Sequence, residues 1–315
     1  MLIAHQLGAR HDRLLRDRLA AGNTLVALPE DDPWAMPRET EALLAGMRMV
    51  KTLPKDDAPP PGWPTGLRWV HLPSTGIDML PPFMLRTPLV TVSRGAQAVA
   101  IAEYILAAML AFEKDIPEIY ISAPQAWKVR PLGGLAGRTL GLVGFGHIGR
   151  EVAARALAFG MKVQASRRRA APSGMADVAI VPLRTLCETS DHIVVAAPLT
   201  AATRAVLGPA EFAAMGQGVH LVNVSRGEML DHESFCRALD DGTLARATLD
   251  VWNTEPPPAN HFVYTHPRVR ISPHISFSGP TTERTTDAIL LENFAAWQRG
   301  DTAALHGAID RAEGY

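Results

Sequence analysis

Hydrophobic and polar positions along the 315-residue chain follow two different periods in turn. In the first third, short apolar runs at 1–6, 24–28, 47–50 and 67–72 predict buried strands. Between the first two, residues 11–21 space Leu14, Leu15 and Leu19 as one face of a helix. Residues 96–112 are apolar except for a few positions such as Gln97 and Glu103, and predict a helix buried between lobes or subunits. Strand-like runs then resume at 139–145, 162–166, 178–181, 192–197, 219–225, 248–251 and 269–271. Near the end, Ile289, Leu290, Phe294 and Trp297 lie on a helical period, so 280–299 predicts a helix returning to the first lobe. Strands that alternate with helices give parallel sheets with crossover connections. The pattern therefore predicts an α/β protein with two doubly wound parallel-sheet lobes.

Length agrees with two lobes, because a single core seldom grows beyond roughly 250–300 residues. The expected division is a discontinuous substrate-binding domain from residues 1–95 and 275–315, and a dinucleotide-binding domain from residues 96–274. The stretch 54–64 holds Pro54, Pro59, Pro60, Pro61 and Pro64, which excludes regular helix or central strand and predicts a surface connection.

Charge changes the picture by exclusion. Lys plus Arg number 31 against 32 Asp plus Glu, so no global field favours nucleic acid or an anionic membrane. The 96–112 run is too short for a membrane span, and a small molecule is the expected partner. The chain has two cysteines, Cys187 and Cys236, in helix-like surroundings and with no neighbouring ligands at metal spacing. They predict packing residues, no metal site and a reducing, cytoplasmic setting. The first residues lack a basic start and a long apolar core, so no secretory signal is expected.

The sharpest local signal is Gly144-Phe145-Gly146-His147-Ile148-Gly149, which follows the apolar run 140–143 and precedes a helix-like segment. In that strand-turn-helix context Gly144 permits the tight turn, Gly146 a close approach of pyrophosphate to backbone, and Gly149 the packing of helix on strand. The helix N-terminus at His147 and Ile148 supplies partial positive charge for the phosphates. The larger lobe is thus expected to be a Rossmann domain, beside a smaller flavodoxin-like lobe. About 20 residues beyond such a loop an acidic residue normally binds the adenosine ribose. This chain reads Ser166-Arg167-Arg168-Arg169 there. Guanidinium groups pair with a 2′-phosphate that a carboxylate would repel, so Ser166, Arg167 and Arg168 point to NADP, with NAD the weaker alternative. Read without a ligand, the same run is a solvated basic turn.

Three polar residues follow predicted strand ends of that lobe: Arg226, Glu255 and His274. Carboxyl ends of parallel strands converge on one crevice. Reduction of a 2-keto acid needs a cation for carboxylate and carbonyl, a proton donor that works near neutrality, and a carboxylate that keeps the donor charged. The three residues supply one of each.

With these segments in hand, the chain resembles the D-isomer-specific 2-hydroxyacid dehydrogenase family, including its NADP-preferring glyoxylate and hydroxypyruvate reductases. The resemblance rests on 141–149, on Ala197-Pro198-Leu199-Thr200 with Thr203, and on 222–227, 249–256 and 272–274, in that order. It implies a two-lobed fold with the active site in the cleft, and Arg226, Glu255 and His274 in the roles just derived. It also implies cofactor contacts from Pro198, Thr203 and Asp250, the last near the nicotinamide carboxamide. Substrate carboxylate would be held by Ser74-Thr75-Gly76 together with Arg226 and His274. The family is commonly dimeric, which implies a homodimer with the 96–112 helix at the contact. NAD-using members carry Asp where this chain has Arg167. A nucleotide-sensing scaffold of the same fold is the competing class of function, and a proton donor beside the nicotinamide would be superfluous in it.

Overall fold

The computed structural model describes residues 1–29, 31–32, 34–46, 58–78, 80–168 and 171–311. The chain divides into two compact units, Met1–Gln97 with Pro280–Tyr315, and Ala98–Gly279. The expected divisions, after 95 and before 275, lie within a few residues of these.

The first unit holds a five-stranded parallel sheet: β1 (Leu2–His5), β2 (Thr24–Ala27), β3 (Thr40–Leu44), β4 (Trp69–Leu72) and β5 (Leu89–Val92), in the order β2-β1-β3-β4-β5. This is the flavodoxin-like order. Successive side chains point to opposite faces. Thus Ile3, Ala42, Leu44 and Trp69 pack with Leu290, Phe294 and Trp297 on one face, while Ala4, Leu43, Val70 and Val92 pack with Phe83 and Met84 on the other. Helix α1 (Ala9–Arg16) is shorter than the predicted 11–21, and α2 (Pro82–Leu85) is a single turn.

The second unit opens with α3 (Ala98–Glu113), where 96–112 predicts it. Its sheet has seven parallel strands: β6 (Thr139–Val143), β7 (Lys162–Ser166), β8 (Val178–Ile180), β9 (His192–Val195), β10 (Val219–Asn223), β11 (Leu244–Leu249) and β12 (Val269–Ile271). Their order, β12-β11-β10-β9-β6-β7-β8, is the Rossmann order, and it reverses between β6 and β9. Helices α4 (His147–Ala158), α5 (Leu183–Thr189), α6 (Pro209–Ala214) and α7 (His232–Asp240) cover it. Ile101, Ile105 and Met109 of α3 pack with Val152 and Ala156 of α4 over Leu140, Leu142 and Val194, while Leu186, Phe212 and Phe235 cover Ile193, Leu221 and Leu249 opposite. Each large side chain fully buried this way contributes roughly 1.5–3 kcal/mol.

The last helix, α8 (Pro280–Gln298), belongs to the first unit. It stops where Gly300 takes φ 73° and its N–H donates to the Trp297 carbonyl at 2.9 Å.

Two strands were not foreseen from the sequence. The segment Thr40–Leu44 contains Glu, Ala and Leu, which favour helix in isolation, but four of its five side chains are buried in the sheet and that burial decides. Leu89–Val92 follows Pro88 and is too short to show a period. The strand expected at 47–50 lies outside the described residues, as does part of the Pro-rich connection and Arg169.

Candidate active site

All seven strands of the second unit run in one direction, so the residues that follow their C-terminal ends share one edge of the sheet. After β6 comes the 144–149 loop. Gly144 has φ 101°, and a Cβ there would lie 2.7 Å from the Ala197 backbone nitrogen after β9. Only glycine lets these two backbones approach at the point where strand order reverses. A Cβ on Gly149 would lie 2.9 Å from the Gly144 carbonyl oxygen, so the third glycine lets α4 pack on the turn. At Gly146, by contrast, a Cβ would meet nothing within 4 Å. That open side lies at the N-terminus of α4, with the first-turn amides of His147, Ile148 and Gly149 behind it. This fits a phosphate group, which the loop sequence predicts.

After β7, the Ser166 carbonyl accepts from Gly144 N–H at 2.9 Å, which fixes Ser166 beside the phosphate loop. Arg167 is half-buried and reaches the Pro172 carbonyl at 3.5 Å, while Arg168 is exposed. After β9, Pro198 and Thr203 are joined: the Thr203 hydroxyl donates to the Pro198 carbonyl at 2.6 Å and accepts from Thr200 N–H at 2.8 Å. The Thr203 side chain therefore closes its own loop.

Arg226 follows β10 in a loop braced from both ends of one amide. Asn223 donates through Nδ2 to the Arg226 carbonyl at 2.8 Å and accepts through Oδ1 from Ser225 N–H at 3.0 Å. Gly227 is obligatory, because a Cβ there would fall 2.3 Å from the Asn253 backbone nitrogen. Without it the Arg226 loop could not lie against the loop that carries Glu255.

Glu255 and His274 form a pair, Nδ1 to Oε2, at 2.8 Å. The other carboxylate oxygen accepts from Trp252 N–H at 3.0 Å. Burial pushes the Glu255 carboxyl up, but the hydrogen bonds from His274 and Trp252 and the charges of His274 and Arg226 outweigh it, and the net shift is downward. Glu255 is thus favoured as an anion, and the charge of Arg226 acts on the same carboxylate.

His274 itself has φ 51°, a left-handed conformation uncommon outside glycine. Asp250, which is buried, holds it there. The Asp250 carbonyl accepts from His274 N–H at 2.8 Å, and its carboxylate accepts from the Ser272 hydroxyl at 2.6 Å and from the Ile275 and Ser276 amides at 2.9 Å each. Sequence reasoning gave Asp250 a cofactor contact and did not find this anchoring, because it joins residues more than 20 positions apart.

Ser74, Thr75 and Gly76 lie in the first unit, after β4. The Ser74 carbonyl accepts from Ser93 N–H at 3.2 Å, and the Thr75 hydroxyl donates to Gln97 Oε1 at 3.0 Å, so the loop is pinned to the segment after β5. A cavity of about 420 Å³ in the second unit, lined in part by Glu113, Arg138 and Asp191, opens at the N-terminal ends of β6, β9 and β10, the sheet edge opposite the one followed by Arg226, Glu255 and His274. Within it, Arg138 lies 2.8 Å from Asp191 and 3.6 Å from Glu113. Among the described residues, no group of three or more His, Cys, Asp or Glu side chains could hold a metal, and no helix is long and apolar enough to cross a membrane.

Comparison with known proteins gives this arrangement its family. Residues 106–276, more than half of the chain, match the family model of the D-isomer specific 2-hydroxyacid dehydrogenase, NAD binding domain, and the chain belongs to this family. Hydroxypyruvate reductase of Thermotoga maritima is 38% identical over 203 residues, 63% of this chain and 66% of that protein. D-3-phosphoglycerate dehydrogenase 3, chloroplastic, of Arabidopsis thaliana is 36% identical over 217 residues, 66% of this chain and 36% of that protein. The chain thus spans just over a third of one relative and just under two thirds of the other. The crystal structure of a D-isomer specific 2-hydroxyacid dehydrogenase family protein from Aeromonas salmonicida subsp. salmonicida superposes with a TM-score of 0.82 at 28% identity, covering 98% of both chains.

Proposed function

We propose that the chain is an NADP-preferring D-2-hydroxyacid dehydrogenase that reduces a small 2-keto acid, glyoxylate or hydroxypyruvate being the first candidates. The observation that carries this reading is the His274–Glu255 pair at 2.8 Å, with the charge of Arg226 acting on the same carboxylate at the C-terminal edge of a Rossmann sheet. A module that only bound nucleotide would have no use for a paired proton donor there.

When bound, a reduced nicotinamide supplies the hydride; the residues do the rest. Protonated His274 gives its Nε2 proton to the keto oxygen, since Nδ1 is committed to Glu255. Glu255 stabilises the imidazolium until the transfer and fixes the ring. Arg226 offsets the negative charge that develops on the oxygen and grips the substrate carboxylate through its planar fork. For the backbone of Ser74-Thr75-Gly76 we propose a substrate-binding role. Gly144, Gly146, His147, Ile148 and Gly149 receive the pyrophosphate, Ser166, Arg167 and Arg168 the 2′-phosphate, and Pro198, Thr203 and Asp250 line the nicotinamide half. In the oxidative direction His274 starts neutral and acts as base.

Hydroxypyruvate reductase is the name of one relative at 38% identity, and it motivates the choice of first substrates. We also read the protein as a homodimer. The expectation puts the contact on the 96–112 helix, whereas the apolar side chains most exposed lie just after it, at Tyr120, Trp127 and Val129. Cys187 and Cys236 are both free thiols, in keeping with a cytoplasmic setting. Oxidation of NADPH in the presence of a panel of 2-keto acids, followed at 340 nm as is usual for this cofactor, tests the reading: turnover with at least one supports it, and none with any member rejects it.

A further inference from the structure

Resting on the reading of His274 as proton donor, we propose that Tyr104 is a positioning residue for it, acting through Ser272 and Asp250. The Tyr104 hydroxyl of α3 lies 2.6 Å from Ser272 Oγ, and Ser272 Oγ lies 2.6 Å from Asp250 Oδ1. The direction of both bonds follows from proton counting. An ionised carboxylate can only accept, so the single Ser272 proton goes to Asp250, and Tyr104 must donate to Ser272. Burial pushes the Tyr104 phenol up, the Ser272 bond opposes this, and the Asp250 charge adds to it, so the group remains a donor throughout the working pH range.

The far end of this chain of bonds is the turn itself. Asp250 Oδ1 also accepts from Ile275 N–H, Oδ2 from Ser276 N–H, and the Asp250 carbonyl from His274 N–H. Together with the Ser272 bond, these hold His274 at φ 51°, a strained backbone state that persists only when its surroundings over-determine it. Ser272 is the only side chain among the four donors, and Tyr104 is what fixes its rotamer. Through it, α3, which packs along α4 behind the phosphate loop, becomes the outer support of the proton donor. The ring of Tyr104 also packs against the α3 side of the core, so removing the hydroxyl alone separates positioning from packing.

Measurements on the full chain test this with Tyr104→Phe, which keeps the ring, and Ser272→Ala. Tyr104→Phe is expected to lower kcat by roughly 10- to 100-fold, the scale of a small misplacement of a reacting group, with KM and the NADPH Kd changed less than about twofold. The pH at which reduction falls off should move in the direction produced by Glu255→Gln, which a mere loss of folded protein would not do. The double variant should be no slower than Ser272→Ala alone, because both act through one hydroxyl. A pH profile of Tyr104→Phe that superimposes on the parent, or losses that add in the double variant, would overturn the proposal. The same displacement is read without turnover as a shift in the NMR titration of the His274 ring in cofactor-free protein. A parent that reduces no keto acid rejects the proposed function. Positioning is then decided by that titration: a shift in Tyr104→Phe upholds it, and coincident curves overturn it.

Discussion

His274 Nδ1 stands 2.8 Å from Glu255 Oε2, and the Glu255 carboxyl is held below its ordinary range against the opposing effect of burial. The ring is therefore oriented with Nε2 outward, and its charged form has a permanent counter-ion.

That pairing fixes the sign of a pH effect. In the proposed reaction the reduction of a keto acid would consume the protonated imidazole, so the rate should decline as pH rises. In Glu255→Gln the neutral amide no longer favours the charged ring, and the decline should begin at lower pH. Hydride donation in the opposite direction, from a hydroxy acid, should start at lower pH for the same reason. Rate profiles of both directions in parent and variant check this. A coincident pair of profiles would remove Glu255 from the role.

On the proposed reading, cofactor choice turns on Arg167, half-buried just after β7 and next to Ser166. A charge-assisted hydrogen bond to the 2′-phosphate contributes on the order of 1.5–3 kcal/mol, so NADPH should bind roughly 10- to 100-fold tighter than NADH. Arg167→Asp should reverse the order, with Arg168 retaining part of the NADPH affinity. Added salt should weaken NADPH more than NADH. Fluorescence titration of the free protein with both cofactors measures this, and equal dissociation constants in the parent would return the run to a solvated basic turn.

Much of this site was legible because parallel strands make sequence order a guide to position. A polar residue just after an apolar run must lie at one edge of the sheet, and 144–149, Arg226, Glu255 and His274 all obey that rule. The glycine pattern was legible too, since Gly144 and Gly149 answer to steric contacts that no other residue meets. What was not legible is the support behind the site. Tyr104 and Ser272 are 168 positions apart, and a hydrogen bond at that separation leaves no local period or motif. Likewise the bond by which the Thr203 hydroxyl fastens its own loop to Pro198 could not be read from the sequence, which offered Thr203 only as a cofactor contact. Strand β3 escaped because its Glu41, Ala42 and Leu43 carry helix propensity that burial overrides.

Acid should destabilise the protein through its buried histidines. Burial holds His71 down to about 4, and it also lowers His192 and His220, against the raising effect of Glu113 on His192. Below pH 6.5 the unfolded chain takes up protons that these native rings refuse. Stability is therefore full above about 6.5 and is lost as pH falls toward 4, by about 1.4 kcal/mol per pH unit for each excluded proton. For His71 the loss levels off below about 4, where the native ring protonates as well. Thermal midpoints at pH 7 and pH 5 should differ less in His71→Asn than in the parent, even if the variant is weaker at pH 7. An equal drop in both would show that His71 is not among the groups responsible.

The most direct test of the central claim compares the parent with His274→Gln in stopped-flow mixing of the NADPH-loaded protein with hydroxypyruvate or glyoxylate. The account predicts NADPH oxidation by the parent, and a loss of ~10²–10⁴-fold in the variant with NADPH affinity nearly unchanged, because the lost group acts on the keto oxygen and not on the cofactor. Oxidation by the variant at the parent's rate, or a parent that binds NADPH and oxidises it with no 2-keto acid, would contradict it.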